Sequence, residues 1–231
     1  MRTTGFLRAS WIIASKDLRM EWRTWETSSQ TVIFSLIVLV VFNFAFGIGT
    51  ARELGVSRLL PGVIWTVLAF ASVVAMTRSM QLERRRDTLS ALFLSPVEHG
   101  AIYAGKMAAN LVKLTLLQWV LLPLTALFFD YDLRGAVIPL VAVLFLHGLG
   151  LTELGTLFAA ITTRLGRGEA LLAIVLFPAA SPLLISAVKC TAAALDGRPL
   201  SEVSHWMLVA AGFDLLYLFV SLLTFEYVLE E

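Results

Sequence analysis

The stretch Leu82-Glu83-Arg84-Arg85-Arg86-Asp87-Thr88-Leu89-Ser90-Ala91-Leu92-Phe93-Leu94-Ser95-Pro96-Val97-Glu98 decides how this chain is read. It is the longest charge-bearing island between two long apolar runs, and it holds the only three consecutive like charges. Asp87-Thr88 suits the cap of a short helix, because either side-chain oxygen accepts from the unpaired donors of a first turn. Leu89, Leu92 and Phe93 follow at helical spacing and give that helix one apolar face. Ser95-Pro96-Val97-Glu98 closes it and opens the next, with Ser95 as cap, Pro96 at the first helical position and Glu98 reaching back. The island therefore predicts a short amphipathic helix, a corner, and a new helix entering the membrane at Lys106. Such a helix calls for a partner; the other reading is a solvated basic loop lying against lipid headgroups.

Outside the island the chain is apolar. Of 231 residues, 58% are hydrophobic and 15% charged, against roughly 25% charged in a soluble domain. This is the composition of an all-α integral membrane protein. A net charge of +1 gives no bulk basicity for nucleic acid, and the single Cys190 excludes an internal disulfide and paired-cysteine metal spacing.

Residues 1–26 are too charged for a signal peptide. Leu7, Trp11, Ala14, Leu18, Trp22 and Trp25 recur in steps of four and three, with Arg8, Lys16, Arg19 and Arg23 on a flank. That pattern predicts an interfacial helix, tryptophans at headgroup level and cations toward anionic lipid; the alternative is an amphipathic helix packed on protein. Residues 27–231 form the membrane domain, with spans expected over about 27–51, 59–77, 106–129, 135–163, 170–188 and 206–225, each long enough to cross about 30 Å of hydrocarbon. Twelve Lys and Arg fall on the side of the amino terminus and the island and five on the other, with Lys113 left inside the third span. Both termini and the island are accordingly expected in the cytoplasm.

Four ionisable residues fall within spans: Lys113, His147, Glu153 and Asp214. A charge at that depth is costly alone, so a functional role is the default expectation. Lys113 and Glu153 lie at similar depths on sequential spans, which predicts that they meet, directly or through one water, and neutralise each other; the competing picture has Glu153 facing a seam between copies or a cavity, with Lys113 reaching lipid headgroups. His147, and His205 at the outer mouth of the sixth span, are candidates for a haem contact, each weighed against a hydrogen-bonded packing role. Pro178 and Pro182 remove two backbone donors in mid-membrane. They predict either a re-entrant or gating element or a static kink. The run from Gly100 to Met107 has phosphate-loop spacing, but Met107 stands where Ser or Thr must hold magnesium, and no strand precedes it. With no nucleophile-base-orienter set either, the chain is expected to be non-catalytic.

Glu83, Asp87-Thr88-Leu89, Ser95-Pro96 and Gly105-Lys106 between spans two and three, after an amino-terminal elbow helix, resemble the permeases of ABC-type exporters. Lys16-Asp17-Leu18-Arg19 with Glu21, Pro61-Gly62-Val63-Ile64-Trp65 and Gly155-Thr156-Leu157-Phe158-Ala159-Ala160 resemble the CcmB, or haem exporter protein B, family of bacterial cytochrome c maturation. The resemblance covers essentially the whole chain. It implies a multi-pass protein of the bacterial inner membrane whose island is a cytoplasmic coupling helix, with Glu83, Arg84, Arg85, Asp87, Thr88, Leu89 and Leu92 contacting a separate ATPase. It also implies a second copy of this chain, a CcmA ATPase dimer that binds the ATP, the membrane subunits CcmC and CcmD, and the haem chaperone CcmE. No cofactor is expected on this chain itself; haem enters as cargo. Three readings stay open: a haem path, mechanical coupling of ATP hydrolysis to release of the loaded chaperone, and export of another amphiphile such as a lipid or drug.

Overall fold

A computed structural model describes residues 5–85, 97–164 and 168–230, and among these every regular element is a helix. The helices are α1 (Phe6–Thr24), α2 (Glu26–Leu54), α3 (Val56–Arg85), α4 (His99–Phe128), α5 (Val137–Arg164), α6 (Gly168–Leu195), a 3₁₀ turn (Leu200–Val203) and α7 (Ser204–Glu230). Six stretches are long and apolar enough to cross a membrane: Ser28–Phe46, Ser57–Leu82, His99–Phe128, Val137–Thr163, Ala170–Leu195 and Leu200–Phe225. Each overlaps one of the six expected apolar runs, with different ends. Several helices run past the apolar stretches, because backbone hydrogen bonding continues after the side chains turn polar. α4 begins at His99, seven residues before the expected entry at Lys106. Its 30 residues make about 45 Å of helix, some 15 Å more than the hydrocarbon needs. Glu98 occupies its N-cap position without a side-chain capping bond, so it precedes the helix rather than standing in its first turn. Ser95 and Pro96 lie outside the described residues.

α1 turns into α2 at Trp25, whose backbone takes the left-handed conformation (φ 52°), uncommon for a bulky residue. Two bonds hold that corner. The Trp25 N–H donates to the Glu21 carbonyl at 2.7 Å, and the Ser28 N–H donates to Glu21 Oε1 at 2.6 Å. The second puts a carboxylate on the free donors that open α2, where the helix dipole favours negative charge. At the other end of the bundle the Tyr131 hydroxyl donates to the Leu195 carbonyl. Burial, with Asp196 and Asp132 nearby, pushes that hydroxyl above its usual range and keeps it a donor.

α5 is the central helix, packed against α3, α4, α6 and α7. Glycine makes that possible. A Cβ at Gly148 would stand 2.7 Å from Gln118 Nε2, one at Gly150 would strike the Asp214 carboxylate and Leu183, and one at Gly155 would strike the Met76 sulfur. Small residues at helix contacts are how membrane helices gain packing without a hydrophobic drive between them. Polar side chains of α4 reinforce the seam with α5. The Tyr103 hydroxyl donates to the Glu153 carbonyl (3.1 Å), Asn110 Nδ2 to Thr156 Oγ1 (3.1 Å) and Gln118 Nε2 to the Leu144 carbonyl (3.0 Å).

α6 runs without interruption from Gly168 to Leu195 through both Pro178 and Pro182, so the re-entrant reading of this segment is corrected to a continuous span. Pro182 cannot donate to the Pro178 carbonyl four residues back; the Ser181 hydroxyl donates to it instead, at 2.8 Å. Phe177 packs on Phe70 of α3, ring centroids 4.8 Å apart.

Candidate functional site: the elbow and the α4 entry

The helix that follows the island packs on the elbow helix. Lys106 Nζ lies 3.0 Å from Asp17 Oδ2, with side-chain exposures of 1% and 7%. Lys16 Nζ lies 3.2 Å from Asp17 Oδ1 on the outer side. The preceding residue on α4 lets the helices close: a Cβ at Gly105 would be 2.7 Å from the Ser10 carbonyl and 2.8 Å from Ile13 Cβ. α1 turns Ala9, Ile13, Ala14 and Asp17 to this contact and leaves Leu7, Trp11, Trp22 and Trp25 exposed. The expected stripe is thus split: Leu7, Trp11, Trp22 and Trp25 are exposed, Leu18 is half-buried, and Ala14 joins Ala9 and Ile13 in the contact with protein. Periodicity showed an amphipathic helix; it did not distinguish the exposed apolar face from the face that meets α4.

The island itself, with Asp87, Thr88, Leu89 and Leu92, lies outside the described residues. Glu83, Arg84 and Arg85 are the last residues of α3, and their side chains are likewise outside the described set. α3 thus leads into the island, and α4, which leaves it, is clamped to α1 within two turns of its start.

The expected pairing of Lys113 with Glu153 is corrected. Among the described residues the charges that act on Lys113 are Asp17, Glu21 and Lys106, at the elbow. The charge nearest Glu153 is Asp214 of α7. Sequential spans are neighbours, as expected, but adjacency does not set which face of each helix a side chain occupies. Glu153 and Asp214 are 1% and 5% exposed, and Glu153 Oε2 and both Asp214 oxygens find no hydrogen-bond partner among the described residues. Asp214 occupies the space above Gly150, one turn from Glu153 on the same helix.

His147 is fully enclosed and has both ring nitrogens engaged. Nδ1 lies 2.8 Å from the Val143 carbonyl and Nε2 lies 2.8 Å from Ser186 Oγ, whose hydroxyl donates to the Trp206 carbonyl at 2.7 Å. The chain ties α5 to α6 and α7. Trp65 packs beside it, 5.6 Å between centroids, and its indole donates to Thr191 Oγ1 at 2.8 Å. An iron at Nε2 would have to displace Ser186. His205 is exposed at the start of α7, its ring 5.3 Å from that of Trp206. Among the described residues no three His, Cys, Asp or Glu side chains group as metal ligands.

Comparison with known proteins adds to this geometry. The family model described as "CcmB protein" matches residues 8–230. The protein named "Heme exporter protein B" from Bradyrhizobium diazoefficiens is 28% identical over 199 residues, covering 85% of this chain and 86% of its own. Its namesake from Pseudomonas aeruginosa is 26% identical over 197 residues (85% and 86%). The one from Escherichia coli strain K12 is 31% identical over 184 residues (80% and 82%).

Proposed function

The chain belongs to the CcmB protein family, and from that premise we propose that it is the membrane subunit of an ABC-type complex in bacterial cytochrome c maturation. In this reading a separate ATPase docks on the island through Glu83, Arg84, Arg85, Asp87, Thr88, Leu89 and Leu92. ATP hydrolysis there drives haem export or the release of a haem-loaded periplasmic chaperone. The chain acts as a homodimer in the inner membrane with both termini in the cytoplasm, alongside CcmA, CcmC and CcmD, and serves CcmE. It supplies no catalytic residue; hydrolysis belongs to the partner. α1 lies in the membrane interface with Trp11, Trp22 and Trp25 at headgroup level.

The observation that carries the reading is the Asp17–Lys106 clamp, which ties the helix leaving the island to the elbow. A rotation of the docked ATPase is thereby passed to α1 and α4 as one body. Between export through the chain and mechanical release of the chaperone, the engagement of His147 by Val143 and Ser186 favours the mechanical reading, because that imidazole is committed to holding three helices together. The reading is tested by purifying the tagged chain with its ATPase. Leu89→Asp, or charge reversal at Glu83 and Asp87, abolishes co-purification while membrane insertion persists; co-purification at the wild-type level would overturn it.

A further inference from the structure

A pocket of about 320 Å³ opens beside the elbow, with Trp22, Trp25, Lys113, Leu116, Trp119 and Val120 on its walls. Its walls are mostly apolar, with Ser28, Thr31 and Lys113 as the polar residues among them. Both carboxylates near that ammonium are already engaged: Asp17 by Lys106 and Lys16, and Glu21 by the Ser28 N–H. Among the described residues no hydrogen bond or ion pair engages Lys113 itself. Three lysines and two acids leave the corner one positive charge in surplus, and Arg19 and Arg23 on the exposed side of α1 add to it.

Depth identifies what this surplus meets. Ser28 and Thr31, from the start of the apolar stretch Ser28–Phe46, line the same pocket. Lys113 is therefore level with the point where that span enters the bilayer, although it lies about four turns into α4. The exposed side chains Leu116, Trp119 and Val120 (49%, 56% and 43%) continue from it along α4 for about 10 Å toward mid-membrane. Cation at the interface and apolar trough below is the polarity order of a phospholipid, phosphate outermost and acyl chain inward. Two tryptophans at the mouth, Trp22 and Trp25 with centroids 5.9 Å apart, have the apolar body and polar edge that suit headgroup level.

We propose that this pocket is a phospholipid site, with the lipid phosphate on the Lys113 ammonium and one acyl chain laid along Leu116, Trp119 and Val120. The proposal goes beyond the permease reading and does not depend on it. A lipid held there wedges the elbow against α4 and completes the neutralisation of the corner.

The test is native mass spectrometry of the full chain, delipidated in mild detergent and titrated with phosphatidylglycerol. One lipid is expected to bind the wild-type chain and Lys113→Arg alike, and affinity is expected to fall about fivefold in Lys113→Gln, the scale of one interfacial lysine. Diacylglycerol, which has the chains without the phosphate, is expected to bind no better than phosphatidylglycerol binds Lys113→Gln. If that variant fails to fold, Leu116→Glu sets a carboxylate one turn from the ammonium on the exposed wall and carries the same expectation. Equal phosphatidylglycerol binding by wild type and variant would overturn the proposal. Competition by inorganic phosphate would assign a soluble-anion site instead. High-yield cross-linking between two copies through a cysteine at Trp119 would assign the pocket to a seam between copies.

Discussion

Lys106 and Asp17 stand 89 residues apart in the chain and 3.0 Å apart in the structure, the ammonium 1% exposed and the carboxylate 7%. One stands two turns into the third apolar helix beyond the island and the other closes the protein-facing side of the elbow. An ion pair this enclosed gives up hydration on both partners, so its net contribution to stability is small, whereas removing one partner strands the other. Its value lies in fixing where α1 sits on α4.

Asp17→Asn and Lys106→Met are each expected to destabilise the detergent-purified chain by about 3–5 kcal/mol. The double variant Asp17→Leu with Lys106→Met should lose less than the worse single. Thermal unfolding of the four proteins measures this directly; additive losses would mean the two charges act independently.

Gly105→Ala should force α1 away from α4, since the new methyl meets the Ser10 carbonyl at 2.7 Å and Ile13 Cβ at 2.8 Å. Neither group can swing aside, and overpacking of this kind costs about 1–3 kcal/mol. Gly135→Ala, with nothing within 4 Å, is the matched control and should melt as wild type does. Equal melting of both variants would show that the elbow contact is looser than described.

Ser181→Ala should cost about 0.5–1 kcal/mol in the wild-type background, where its hydroxyl serves the carbonyl that Pro182 leaves bare. In a Pro182→Ala background the restored backbone N–H takes over, and the same change should cost nothing. A cycle with no coupling would remove this explanation of the unbroken helix.

His147→Gln is expected to lower the stability of the assembled complex by about 1–2 kcal/mol, through loss of the link from Val143 to Ser186, and to leave its haem content unchanged. Loss of haem at undiminished stability would reassign the imidazole to the cargo.

The six apolar helices were legible because crossing a bilayer demands about 20 apolar residues in a row, and Ser57–Leu82 and Ala170–Leu195 each run to 26 residues. The elbow was legible as a helix from the recurrence of Trp11, Trp22 and Trp25, but the contact through Ala9, Ile13 and Ala14 was not. Small residues carry little periodic signal, and Gly105 opposite them shows only as one more glycine. Lys113 illustrates the main limit. Depth along a span follows from counting residues, yet rotation about the helix axis does not, and it is rotation that turns Lys113 to the elbow and leaves Glu153 to Asp214. The protruding start of α4 misled the depth count as well, since the helix begins well before the apolar core. Pro178 and Pro182 showed where donors were missing, while the remedy at Ser181 depends on a rotamer.

The central claim, that the island converts ATP hydrolysis by a partner into work by this chain, is tested most directly in a reconstituted system. The chain, its ATPase and the other membrane subunits are placed in nanodiscs, and release of haem-loaded chaperone is followed with ATP and with a non-hydrolysable analogue. The account predicts release with ATP, none with the analogue, and none with Leu89→Asp even though the membrane subunits remain assembled. Release at the same rate with the analogue, or with Leu89→Asp, would contradict it.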